Sequence, residues 1–155
     1  MASPSDVSPR PPGIIRVWIS AFRLRTLPLA LSSIGMGGFL AAFAGAAQPA
    51  VLAWAALTTL LLQVLSNLAN DYGDTKHGAD SVHREGPKRA VQAGLISPAQ
   101  MKAGMAVAGL LSFLSGLLLL WTALGTAGLY VLVCFLLLGL AAIWAAISYT
   151  SGPKP

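Results

Sequence analysis

Two long apolar stretches dominate the chain: no charged residue occurs between Leu27 and Asn70, and none between Ala103 and Pro153. Each is about twice the 20 or so residues that one membrane-crossing helix requires, so each is expected to fold as a helical hairpin. The first stretch breaks at GAAQP, Gly45 to Pro49, and the second at GTAG, Gly125 to Gly128, where glycine and proline favour short turns. The pattern predicts spanning helices at about 27–45, 50–72, 103–123 and 128–150. The expected fold is all-α, a polytopic transmembrane bundle of about four spanning helices.

The segment before the first stretch divides in two. Residues 1–13 are rich in Ser and Pro and are expected to form a disordered tail, ahead of a transmembrane domain over residues 14–155. Ile14 to Phe22 is apolar with Trp18 in its middle, and Arg23 and Arg25 follow. This suits a short helix lying in the membrane interface with Trp and Arg as anchors.

Composition agrees with the pattern. Of 155 residues, 55% are hydrophobic and 10% charged, and the mean hydropathy is +0.71, outside the range of ordinary soluble domains. All 10 Lys and Arg residues fall on one side of the predicted helices, and both opposite turns are uncharged. The positive-inside bias then places the N-terminus, the long central loop and the C-terminus in the cytoplasm, in a cell inner membrane. The net charge of +5 therefore reports topology and not nucleic-acid binding. Ala44-Gly45-Ala46 resembles a signal-peptide cleavage site, but the apolar run before it exceeds a usual signal core. Cys134 is the single cysteine, which excludes a disulfide framework and a Cys-based metal site.

The acids are concentrated in one place. Apart from Asp6 and Glu85, every carboxylate lies in NLANDYGDTKHGAD, from Asn67 to Asp80. At about 100° per residue, Gln63, Asn67, Asn70, Asp71 and Asp74 share an arc of roughly 100° on one helix. Two carboxylates one turn apart, backed by amides at a membrane face, suit a hard cation such as Mg²⁺. Charge so close to a bilayer is a functional hypothesis by default. In the following loop, HREGPKRAVQAG places Arg84, Lys88 and Arg89 within reach of Asp71 and Asp74. Alternating carboxylates and cations can hold a divalent metal and a polyanion together, which implies a diphosphate ligand.

Plainer readings stand beside this one. The basic loop can serve orientation alone, neutralised by ion pairs worth about 0–1 kcal/mol each. The stripe can belong to a small four-helix protein that binds or transports cations. Gly104, Ala108, Ser112 and Gly116 form a small-residue ridge that admits another helix closely and could serve a scaffold. Gly35, Gly37 and Gly38 are read as helix-packing positions, and His77 and His83 as loop histidines without zinc spacing.

Four segments resemble the UbiA superfamily of membrane-embedded aromatic prenyltransferases: WISAFRLRTLPLAL, LQVLSNLANDYGDTKHGAD, GPKRAVQAGLIS and AISYTSGPKP. The resemblance is greatest to the branch that prenylates 1,4-dihydroxy-2-naphthoate in menaquinone biosynthesis. It implies Mg²⁺-dependent transfer of a polyprenyl chain from polyprenyl diphosphate to dihydroxynaphthoate, with loss of the carboxylate as CO₂. Carried over by position, Asn67, Asn70, Asp71 and Asp74 would form the first diphosphate and Mg²⁺ motif, with Asp71 and Asp74 catalytic. Asp80 would be its outlying third acid, further from Asp74 than in the ubiquinone branch. Arg84, Lys88 and Arg89 would bind diphosphate from the adjoining loop, and Arg25, in RTLP, would contact substrate at the cavity mouth. The family typically has about nine spanning helices and a second aspartate-rich motif, whereas no acid follows Glu85 here. The resemblance thus leads to the expectation of an N-terminal half, inactive alone unless a second chain supplies the rest.

Overall fold

The computed structural model describes residues 12–77, 89–125 and 127–151. Helix α1 spans Ile14–Phe22, a 3₁₀ turn covers Leu24–Thr26, and α2 spans Leu27–Phe43. They are followed by α3 (Pro49–His77), α4 (Pro98–Leu124) and α5 (Leu129–Ser151). The fold is all-α, with no strand among the described residues. Four segments are long and apolar enough to cross a membrane: Ile14–Phe43, Pro49–Lys76, Pro98–Leu124 and Leu129–Tyr149.

Each boundary has a local cause. Helix α2 ends where Gly45 adopts φ +67°, a left-handed conformation that suits glycine. There the Gly45 N–H donates to the Ala42 carbonyl at 3.0 Å and the Ala46 N–H to the Ala41 carbonyl at 2.8 Å. This is the Schellman pattern, which satisfies carbonyls that the helix end leaves open. Helix α4 starts at Pro98, ahead of the 103 that the charge pattern suggests, because Ser97 and Gln100 form a capping box. The Gln100 N–H donates to Ser97 Oγ at 3.2 Å and the Ser97 N–H to Gln100 Oε1 at 2.9 Å. Lys102 is thereby carried inside α4, where its ammonium sits 5.4 Å from the Tyr72 ring centroid. Helix α3 runs past Tyr72 to His77 and so takes Asp74 into its last turns.

Helix α3 is the hub, packing most extensively on α4, then on α5, α2 and α1. The buried core is not central. It joins Leu65, Leu68 and Ala69 of α3, Met101, Met105 and Ala108 of α4, Val17 and Ala21 of α1, and Val91 and Ile96 of the connection before α4. All of these lie toward the end of the bundle that carries the acids. Away from it, apolar side chains face outward, among them Phe43, Trp121 and Tyr130, a surface matched to lipid.

The small-residue ridge of α4 is occupied within the chain. A Cβ on Gly104 would lie 2.8 Å from Cη2 and Cζ3 of Trp18, and one on Gly116 would lie 3.9 Å from Cγ2 of Thr58. Between them, Thr58 Oγ1 donates to Ser115 Oγ at 3.0 Å, and Ser115 Oγ donates to the Ser112 carbonyl at 3.1 Å. Interhelical hydrogen bonds of this kind in membranes contribute about 0.6 kcal/mol on average. Thr58→Val is therefore expected to lower unfolding stability in detergent by about that amount. A loss above about 2 kcal/mol would show instead that α3 has repacked against α4.

Candidate functional site

The last turns of α3 carry the acids, and the residues after 88 close over them. Asp71 is buried, with 4% of its surface exposed. Its Oδ2 accepts the Ala90 N–H at 3.2 Å and its Oδ1 accepts the Val91 N–H at 3.4 Å. Residues 89–95 form a single turn closed by Gly94 at φ +69°, with the Gly94 N–H donating to the Val91 carbonyl and the Leu95 N–H to the Ala90 carbonyl, both at 3.0 Å. The first amides of such a turn have no partner within it. Asp71 supplies one from another helix and so acts as a cap across the fold.

Arg89 opens that turn and bridges two more residues of the stripe. Its Nη1 donates to the Asn70 carbonyl at 2.5 Å and forms an ion pair with Asp74 Oδ2. The side chains of Arg89 and Asp74 retain 12% and 21% of their exposure, so the pair is partly shielded from water. Such charge-assisted contacts are stronger than neutral hydrogen bonds.

The stripe read from helical spacing divides in two. Asn70, Asp71 and Asp74 meet Arg89 and its turn, whereas Asn67 faces α1: its Nδ2 donates to the Phe22 carbonyl at 2.9 Å and to Thr26 Oγ1 at 3.1 Å. Gln63 stands behind it, with Nε2 donating to Asn67 Oδ1 at 3.4 Å. Arg25 is exposed on the 3₁₀ turn. Asp80, Arg84 and Lys88 lie outside the described residues, as does His83.

Two carboxylates one turn apart, with the Asn70 amide on the same face, fit a hard divalent cation in chemistry. Mg²⁺ is ordinarily held by one or two carboxylates together with substrate phosphate oxygens. A carboxylate has about four lone-pair positions, and the two backbone amides on Asp71 use two of them. Among the described residues no group of three His, Cys, Asp or Glu side chains gathers as a complete metal cage. Deeper in the bundle, a cavity of about 350 Å³ between α3, α4 and α5 is lined by apolar groups including Leu62, Phe113, Leu136 and Ile143. Leu62 precedes Asp71 by about 13 Å along α3.

The model of the UbiA prenyltransferase family matches residues 30–152, most of the chain and all of α3, α4 and α5. The chain belongs to the UbiA prenyltransferase family. Among curated relatives, the 1,4-dihydroxy-2-naphthoate octaprenyltransferase of Escherichia coli is 44% identical over 140 residues, covering 90% of this chain and 45% of the relative. That of Haemophilus influenzae is 45% identical over 143 residues, covering 91% and 46%. That of Mycobacterium tuberculosis is 36% identical over 140 residues, covering 89% and 44%. The chain thus spans less than half the length of these relatives. No solved structure matches it.

As a UbiA family member with four helices of spanning length, the chain is a multi-pass membrane protein. Sequence spacing did not single out the Arg23 corner, Thr26 or the Ala90 and Val91 amides as neighbours of the stripe. Backbone amides have no sequence signature. The corner had one, a basic residue between an amphipathic helix and Pro28, which reads equally as a membrane anchor.

Proposed function

We propose that this chain provides a diphosphate-binding cluster of a membrane prenyltransferase, at the cytoplasmic face of the bacterial inner membrane. The substrate pair is a polyprenyl diphosphate and 1,4-dihydroxy-2-naphthoate. In the transfer, the bond between the allylic carbon and the diphosphate oxygen breaks, its electron pair leaving with the diphosphate. A bond forms from that carbon to the ring carbon bearing the carboxylate, which departs as CO₂. The observation that carries this reading is the meeting of Asn70 and Asp74 with Arg89, and of Asp71 with the Ala90 and Val91 amides of the turn that Arg89 opens, at the charged end of the bundle, in a chain 44% and 45% identical to dihydroxynaphthoate octaprenyltransferases.

Asp71 and Asp74 would hold Mg²⁺, with Asn70 beside them and Asp80 completing the motif. When bound, the ion supplies positive charge to the departing diphosphate oxygens. Arg89, with Arg84 and Lys88 from the same loop, takes the remaining phosphate charge, and carboxylates from a second chain would complete the cluster. Asp71 also fixes the turn that carries Arg89, so the cation is oriented before the anion arrives. The apolar cavity between α3, α4 and α5 suits an isoprenoid tail and excludes water around it.

Calorimetric titration of the chain in lipid nanodiscs with pyrophosphate tests this reading. Binding should require Mg²⁺ and weaken at least about tenfold in Asp74→Asn, as for loss of a strong charge-assisted contact. Binding indifferent to Mg²⁺ and to that substitution would remove the assignment. Ion flux across proteoliposomes that depends on Asp71 would favour the transport alternative.

A further inference from the structure

The α1 corner is an unusual piece of backbone beside the acids. Arg23 ends α1 with φ +51° and ψ +57°, the only non-glycine residue at positive φ among those described. A bulky residue in the left-handed region persists only where its surroundings over-determine it, and such positions gather at functional sites. The surroundings here are specific. The Arg23 N–H donates to the Ser20 carbonyl at 3.1 Å, and the Arg23 carbonyl accepts both the Thr26 N–H and Thr26 Oγ1 at 2.9 Å. Thr26 Oγ1 in turn accepts from Asn67, whose other amide bond goes to the Phe22 carbonyl immediately before the corner.

Asn67 is 3% exposed and lies one turn before Asp71 on α3. Its side chain is committed on both ends, two bonds donated to the corner and one accepted from Gln63. Both of its N–H donors and one lone pair of its oxygen are thus already engaged within the chain. What it does fix is where α1 ends. Arg23, half-buried at that end, follows directly on the Phe22 carbonyl that Asn67 holds, and Asn67 lies one helical turn before Asp71.

We infer that Asn67 is a positioning residue: it latches the Phe22–Thr26 corner to α3 and so holds the Arg23 guanidinium at the acidic cluster as a further cation for an anionic ligand. The ligand chemistry is that of a diphosphate, and this part of the inference rests on the function proposed above. The latch itself does not. It joins α1 to the acidic end of α3, so that displacement of α1 is felt at the proposed anion site.

Two measurements on the full chain separate these statements. In a Cys134→Ala background, Val17→Cys places a thiol on the buried face of α1, where Val17 is 5% exposed. A water-soluble maleimide should modify this thiol at least about tenfold faster when Asn67→Ala is added. Pyrophosphate titration with Mg²⁺ supplies the second readout. Asn67→Ala and Arg23→Ala should each weaken binding about tenfold, and the double variant should be no weaker than either single one, because one residue acts through the other. Arg23→Gly should weaken binding equally while leaving the thiol protected, since glycine keeps the left-handed corner and lacks the cation.

Additive losses in the double variant would overturn the inference, because Asn67 would then act on the ligand directly. Unchanged thiol reactivity in Asn67→Ala would overturn the latch. If the thiol is released in Asn67→Ala but the parent chain binds no pyrophosphate with Mg²⁺, the latch is supported, and both the proposed function and the role of Arg23 in it fall.

Discussion

Asp71→Ala is expected to release the turn at residues 89–95 and to abolish Mg²⁺-dependent pyrophosphate binding together, whereas Asp74→Ala should lose binding with little change in stability. The difference follows from what each carboxylate holds. Asp71 accepts two backbone N–H groups at 3.2 and 3.4 Å in a setting buried enough to include Val91 and Ile96 in the core. Removing the acceptor strands both donors, at about 1–3 kcal/mol each. Among the described residues Asp74 pairs with the Arg89 guanidinium, and it keeps 21% of its side-chain exposure. Arg89 keeps its bond to the Asn70 carbonyl when that carboxylate is removed, and water can reach this partly shielded pair, so the loss should stay at about 1 kcal/mol. Amide hydrogen exchange at Ala90 and Val91, measured with thermal unfolding in detergent, checks this. Exchange in Asp71→Ala as slow as in the parent would show that the turn does not depend on its distant cap.

The second large effect is expected from Gly104→Leu, which should undock α1 from the bundle. Even a methyl group at this position would stand 2.8 Å from two ring atoms of Trp18, closer than side-chain carbons pack. Alanine forces the ring to shift, and a leucine leaves it no room. Overpacking of this kind costs about 1–3 kcal/mol before any loss of the contacts beyond it. Those contacts include Val17 and Ala21, both buried in the same core. Protease cleavage within residues 14–23 and the unfolding temperature should therefore change together. Gly35→Leu on α2 is the control, because a Cβ there meets nothing within 4 Å, and its effect should stay within about 0.5 kcal/mol. A Gly104→Leu chain as stable and as protease-resistant as the control would mean that α1 is not held by the α4 notch.

Much of this arrangement was legible in the residue pattern, and the limits of that legibility are physical. Uncharged length between Leu27 and Asn70, and between Ala103 and Pro153, foretold the spanning helices. Helical spacing put Asn67, Asn70, Asp71 and Asp74 on one side of α3, but an arc of about 100° is wide enough to face two neighbours. One edge meets the α1 corner and the other meets the turn at Arg89. Spacing gives a direction and not an occupant. The start of α4 at Pro98 was hidden by Lys102, whose charge argues for a loop until the Tyr72 ring beneath it is known. The ridge from Gly104 to Gly116 was legible as a site of close approach. That a tryptophan ring from a separate short helix fills its first notch depends on tertiary placement.

The seating of Trp18 on Gly104 also sets a depth. Trp121, on the same helix and 77% exposed, follows Gly104 by 17 residues, about 26 Å along the axis. Indole rings settle where hydrocarbon gives way to headgroups, and the hydrocarbon layer is about 30 Å thick. The chain therefore carries two aromatic marks separated by nearly one membrane thickness, and Asn67 and Asp71 stand beside the nearer mark. A bilayer that thickens or thins would move the acids relative to its surface, so the lipid itself becomes a variable in how readily the ligands proposed for this cluster reach it.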